Sequence, residues 1–356
     1  MKNKKALSIL KEFSISIGAI IAGLLVSVIF VTISSGNGFI DSVSLLFSSI
    51  WKGSFGDPTQ RIETFVFATP LIFTGLAHAI AFRTGLFNIG VEGQFIIGML
   101  VAALVGIIPG IPSFIHLPLI IICGAIGGAI WAGIPGYLKA KLGTNEVVNT
   151  IMMNFIAMYL SNYFVYQKFK VEGTVATPMI EESAQLTRFL GEEYRLSTGI
   201  FIAIIIVVLI YVLLWKTTIG YELRAVGLSP AAAEYGGVNI KKNIVLAMAI
   251  SGAIAGIGGA IHVSGVQHQA MQLFGFPSFG MDGIAVALVA KSNPIGVIFS
   301  AILFGALNLS AGTLMLFGIP KTISYLIQGV VIIFIAGEYV FKLIADKKKK
   351  EATINE

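Results

Sequence analysis

GQFIIGMLVAALVGIIPGIPSFIHLPLIIICGAIGGAIWAGIPGYL, residues 93–138, contains no Asp, Glu, Lys or Arg. At about 1.5 Å per helical residue, this run is longer than a ~30 Å hydrocarbon core needs. A second charge-free run lies between Lys242 and Asp282. Long apolar runs of this kind, cut by single charges, give about ten possible membrane spans. They fall near residues 14–33, 64–82, 93–109, 117–138, 147–167, 197–215, 244–263, 279–290, 294–312 and 321–340. The span at 279–290 is short, because Lys291-Ser-Asn-Pro294 ends it and Pro294 starts the next helix. A short or re-entrant segment is plausible there.

Composition points the same way. Hydrophobic residues make up 56% of the 356 and charged residues only 12%, about half the charge of a soluble domain. The 40 glycines lie within apolar runs, where small side chains let membrane helices approach closely. Small-xxx-small pairs at Gly124/Gly128 and Gly252/Gly256 fit that role. The strict alternation of an outer-membrane barrel is missing. The expected fold is therefore all-α: a polytopic integral membrane protein forming one transmembrane domain over residues 1–356.

Cation placement sets the orientation. With both termini in the cytoplasm, Lys52, Arg61, Lys168, Lys170, Arg188, Arg195 and Lys321 fall outside and the other Lys and Arg inside. Flipping the chain would invert this positive-inside bias. The N-terminal Met-Lys-Asn-Lys-Lys and its apolar run resemble a signal peptide, but the run is too long for one and is read as an uncleaved first span. The basic tail 342–356, with Lys347–Lys350, suits anionic lipid rather than nucleic acid, which would need a basic folded surface. The outer segments 34–62 and 168–196 read either as solvated loops or as a small cap where something docks. An amphipathic piece near Val43–Trp51 lies in the first. The second is acid-rich, with Glu172, Glu181, Glu182, Glu192 and Glu193.

The cytoplasmic loop 216–243 contains a legible short helix. Ser229 is a good N-cap and Pro230 a good first residue. Ala231, Ala232 and Ala233 favour helix, and Gly236 and Gly237 stop it. Two turns alone are unstable in water, so the helix has to lie against something. That is either a groove on a cytoplasmic partner, with Leu228, Glu234 and Tyr235 as contacts, or the protein's own inner surface.

A polar island, Arg83-Thr-Gly-Leu-Phe-Asn-Ile-Gly-Val-Glu-Gly-Gln94, separates two apolar runs. It reads as a structured bend shaping a translocation path, or as an ordinary turn with Glu92 at the next helix's N-terminus. Asn145 is a candidate cap for the helix bearing Asn149 and Asn154. Those two lie five apart and do not share one helix face, so one of them faces a polar path, or such Asn side chains bond to a neighbouring helix. Asn88, Glu92, Gln94, Asn149 and Asn154 are the candidate path residues.

Enzymatic and self-powered readings lack their residues. No Gly-Lys dipeptide, His-Glu-x-x-His or Gly-x-Ser-x-Gly occurs. The four histidines lack metal-ligand spacing, Cys123 is the single cysteine, and no cofactor or metal is expected. No paired acids lie deep in a span, as an ion-coupled pump usually requires.

Two segments carry a resemblance. Thr84-Gly-Leu-Phe-Asn-Ile-Gly-Val-Glu-Gly-Gln94 and Ala225-Val-Gly-Leu-Ser-Pro-Ala-Ala-Ala-Glu-Tyr-Gly-Gly237 resemble signatures of bacterial ABC-importer permeases for ribose, branched-chain amino acids and nucleosides. Ala81–Gln94, with Gly283–Ala290 and the following Asn-Pro294, is most similar to the purine-nucleoside branch linked to basic membrane proteins. The likeness runs from about Phe55 to Gly337. It implies four kinds of subunit: this permease, a second related permease, a cytoplasmic ATPase and an extracellular substrate-binding lipoprotein. It implies that Gly227–Gly237 is the ATPase-coupling site and that the cargo is a small polar solute such as a nucleoside. Glu234 and Gly237 stand where relatives often carry a basic residue and Ala or Ser. Simple sugars or branched-chain amino acids are the alternative cargoes, and an ion-coupled secondary transporter is the alternative mechanism.

Overall fold

A computed structural model describes residues 2–191, 193–334 and 337, with side-chain surroundings from Gly18 onward. Glu192, the end of the expected span at 321–340 and the tail 342–356 lie outside the described residues. Among those described, the regular structure is helical, with two isolated bridges, Ala176 to Met271 and Arg188 to Ser197.

The chain divides into two compact units, Met1–Arg61 with Ala306–Glu356, and Ile62–Gly305. The first contains α1 (Lys2–Ser35), α2 (Phe39–Phe55) and α13 (Lys321–Phe334). The expected outer segment 34–62 is thus largely helical, and its amphipathic piece is part of α2. Leu46, Ser49 and Gly53 are buried, while Ile40 and Trp51 are exposed.

The second unit holds most of α3 (Pro58–Arg83), then α4 (Val91–Gly106), α5 (Ser113–Leu142), α6 (Glu146–Tyr163) and α7 (Gly199–Lys216). The shorter helices α8 (Thr218–Leu228) and α9 (Pro230–Tyr235) follow. After α10 (Ile240–His262) come the short α11 (Phe279–Val289) and the first half of α12 (Pro294–Leu316). Among the described residues, six helices are long and apolar enough to cross a membrane: those containing Gly18–Ser35, Pro58–Arg83, Ser113–Leu142, Gly199–Lys216, Ile240–Gln267 and Pro294–Leu316. α4, α11 and α13 are apolar but shorter. α6 continues as a π-helix to Lys168 and is long enough, but Asn149, Asn154, Ser161 and Asn162 make it too polar to count among the six.

Close helix contact organises this unit. α10 lies against α5 through facing glycines, and a Cβ on Gly252 or Gly256 would overlap the carbonyl of Gly128 or Gly124. Gly98 of α4 abuts Gly256 from another side. Phe95, Met99, Ile120, Ile180 and Val263 build a buried core beside this contact. The segment 168–196 is not a bare loop. Ile180 N–H donates to His268 O at 2.8 Å, Leu186 N–H to Ser264 O at 2.9 Å, and Thr177 N–H to Ala270 O at 2.9 Å. Burial, then the charge of Arg188, holds the His268 imidazole below its ordinary pKa. Its Nε2 lies 2.9 Å from the Arg188 guanidinium, placed to accept from it as a neutral ring.

Candidate functional site

The polar island is an unwound connection that buries Thr84, Leu86, Asn88 and Gly90 and leaves Gly85 and Phe87 exposed. Gly85 adopts φ +74°, a left-handed turn that glycine takes without strain. Beyond it, Asn88 and Gln94 pair reciprocally, each amide nitrogen donating to the other's oxygen at 3.1 Å. Asn88 Nδ2 also donates to Ser251 Oγ at 2.9 Å, and Ser251 Oγ donates to Ala77 O at 2.8 Å. Asn154 reaches across from α6. Its Oδ1 accepts from Gly93 N–H at 2.8 Å and its Nδ2 donates to Ile89 O at 3.0 Å. One side chain, Asn154, thus satisfies the Ile89 carbonyl and the Gly93 N–H, as a membrane interior demands.

Of the expected path residues, Asn88, Gln94 and Asn154 gather around the island's backbone, while Glu92 turns to another helix, and all four are buried. Asn149 stands apart and donates to Thr144 Oγ1 at 2.6 Å. Asn145 caps α6 as expected, accepting from Val147 N–H at 2.9 Å.

Glu92 is fully buried, and its carboxylate grips the start of another helix. Oε1 accepts from Ser278 N–H at 2.7 Å, and Oε2 from Gly280 N–H at 2.6 Å and Met281 N–H at 3.1 Å. The dipole that favours this acid is α11's. His78 Nε2 donates to Gly280 O at 2.8 Å and secures the same corner. The other end of α11 is held by Arg83, whose Nε and Nη2 donate to Ser292 O and Lys291 O, both at 3.1 Å. Ser278 (φ 72°), Lys291 (φ 51°) and Ser292 (φ 53°) are left-handed non-glycine residues, each costing of order 1 kcal/mol. Island side chains hold both strained ends in place. His78, Arg83 and Ser251 were not read as site residues in the sequence, because their partners lie far away along the chain.

α11 has eleven residues, about 16 Å of helix and half a hydrocarbon core. The span expected at 279–290 is therefore a half-helix.

The loop 216–243 meets the island through backbone. A Cβ on Gly227 would overlap the carbonyl of Arg83, so α8 lies directly on the residue that holds α11. α8 was not expected from the sequence. It buries Leu223 and Val226 and ends at Ser229. Ser229 then caps α9 through Ala232 N–H, and Pro230 opens the helix as expected. Of Pro230–Tyr235 only Ala233 is buried, and α9 projects Tyr235 at 95% exposure, with Leu228 just before it at 88%.

The chain is 40% identical to the guanosine ABC transporter permease protein NupP of Bacillus subtilis, over 94% of this chain and 95% of the relative. It is 34% identical to the nucleoside ABC transporter permease protein NupB of Lactococcus lactis (85% and 86%) and 30% identical to the glucose ABC transporter permease protein TsgB13 of Haloferax volcanii (85% and 82%). No solved structure matches. Residues 61–336 match the family described as branched-chain amino acid transport system / permease component, and the chain belongs to that family.

Proposed function

We propose that this chain is a transmembrane subunit of an ATP-binding-cassette importer for nucleosides. A partner ATPase grips α9 from the cytoplasm, and a second permease and an extracellular substrate-binding lipoprotein complete the assembly. The chain itself is a multi-pass plasma-membrane permease and not an enzyme, and ATP hydrolysis resides in the partner. About ten apolar segments thread the bilayer with both termini inside. The observation that carries the reading is the solvent-facing α9 joined through Gly227 to Arg83 and α11. A two-turn helix with bare Leu228 and Tyr235 is a docking element rather than a stable structure of its own. Guanosine and nucleosides in the names of two relatives support the cargo. The glucose relative supports simple sugars as the second reading. Asn88, Glu92, Gln94 and Asn154 frame the route, with Asn149 nearer the inner mouth.

Deleting Pro230–Tyr235 is expected to abolish ATPase association and guanosine uptake while leaving membrane insertion intact. Tyr235→Ala is expected to weaken association by about thirtyfold or more, the typical loss at an interface anchor. Normal co-purification of the ATPase with the deletion variant, together with normal uptake, would overturn the coupling role. Uptake that an uncoupler stops, and that persists without any ATPase, would replace this reading with an ion-coupled one. Competition by excess glucose but not by nucleosides would move the cargo to sugars.

A further inference from the structure

The segment between the π-helical end of α10 and the start of α11 lacks regular structure apart from the bridge at Met271. Two contacts with α6 set its depth. Asn162 Oδ1 accepts from Leu273 N–H at 2.7 Å, and Asn162 Nδ2 donates to Leu273 O at 2.8 Å. The rings of Phe155 and Phe276 meet edge to face at 5.1 Å. Counted from Glu146, Phe155 and Asn162 lie roughly 13 and 24 Å along α6. Ser278 lies about 16 Å from the inner end of α11. With the membrane crossings of the proposed permease, Leu273–Ser278 therefore lies inside the hydrocarbon thickness.

This stretch is nevertheless open. Phe274 is 85% exposed and Gly275 is exposed. Among the described residues, the N–H groups of Phe274, Gly275 and Phe276 donate no hydrogen bond. Bare amides facing lipid would cost several kcal/mol each, so irregular backbone at this depth has to be covered by protein or face water. Phe155, Tyr159 and Tyr163 are exposed along the adjoining face of α6, at one-turn spacing. Aromatic faces thus border free donors at mid-membrane. The N-terminal amides of α11 are not part of this surface, because Glu92 occupies them.

We infer that the surface made by Phe155, Tyr159, Tyr163 and Phe274–Phe276 lines the aqueous route and receives the planar base of the nucleoside, which stacks on the rings while the free amides and tyrosine hydroxyls meet its polar edge. This rests on the importer reading above and adds which residues select the cargo. Stacking tolerates different bases but not a bare sugar.

The test uses the complete importer in membrane vesicles with Cys123→Ala, which removes this chain's single cysteine, and reads labelling on this chain alone. Phe274→Cys is compared with Ile126→Cys, an exposed position on the regular helix α5. A water-soluble methanethiosulfonate is expected to modify Phe274→Cys at least about tenfold faster. Guanosine or free guanine should slow the reaction, and ribose should not. Separately, Phe274→Ala and Tyr159→Ala are each expected to lower guanosine uptake about tenfold, with Phe274→Trp restoring it. Equal, slow labelling of both cysteines would overturn the inference and place lipid or the second permease on this surface. Fast labelling that guanosine and guanine leave unchanged would also overturn it. If the unsubstituted importer accumulates no guanosine, the function reading falls and this surface falls with it. Guanosine uptake with an unreactive Phe274→Cys sinks the surface alone.

Discussion

Gly256→Leu is expected to destroy the folded protein. Gly256 stands where the backbones of α4, α5 and α10 converge, and a Cβ there meets the Gly124 carbonyl. Backbone cannot yield as a flexible side-chain tip does, so the helices have to separate along their length. Overpacking of this kind costs about 3 kcal/mol or more, a large share of ordinary stability. The expected readout is loss of monodisperse protein in detergent and a fall in the thermal aggregation midpoint. Gly133→Leu is the matched control on α5, since nothing lies within 4 Å of a Cβ built there. Equal midpoints for the two variants would mean that backbone contact does not hold these helices together.

Glu92→Leu carries the second largest expected effect. It strips the acceptors from Ser278, Gly280 and Met281 in a fully buried corner. Each unmet buried donor costs about 1–3 kcal/mol, so the start of α11 is expected to detach. Ser278 would lose the bond that holds its left-handed backbone. Glu92→Gln retains one acceptor oxygen but points an amide N–H at other N–H groups, and is expected to fail nearly as badly. Uptake should drop to background in both, with hydrogen exchange across 278–290 accelerated. Were Glu92 instead a selectivity residue on an open path, Glu92→Gln would fold normally and alter only the choice of cargo. That outcome would remove its role as the anchor of α11.

The site's local parts were readable in the sequence and its long-range parts were not. α9 was visible because Ser229, Pro230, the alanines and Gly236 act within a few residues of one another. The six long apolar helices were visible because lipid imposes length and apolarity on each segment separately. The brevity of α11 was visible from Pro294. What the sequence withheld are pairings across great separations. Glu92 finds Gly280 and Arg83 finds Ser292 only once α3, α4 and α11 have assembled. Glu92 also sits in the first turn of α4, so the simplest reading assigned it to that helix's own dipole. α8 escaped notice because its three buried residues, Gly220, Leu223 and Val226, form too narrow a stripe to distinguish helix from loop.

The half-length of α11 also has an electrical consequence. Were the route inferred above filled with water from the outer side as far as Phe274–Phe276, the transmembrane voltage would fall chiefly across the remaining ~16 Å rather than the full ~30 Å. An ion would meet that steepened field at about 2.3 kcal/mol per charge per 100 mV. An uncharged nucleoside would not feel it, and its uptake at fixed ATP should be the same in polarised and depolarised vesicles.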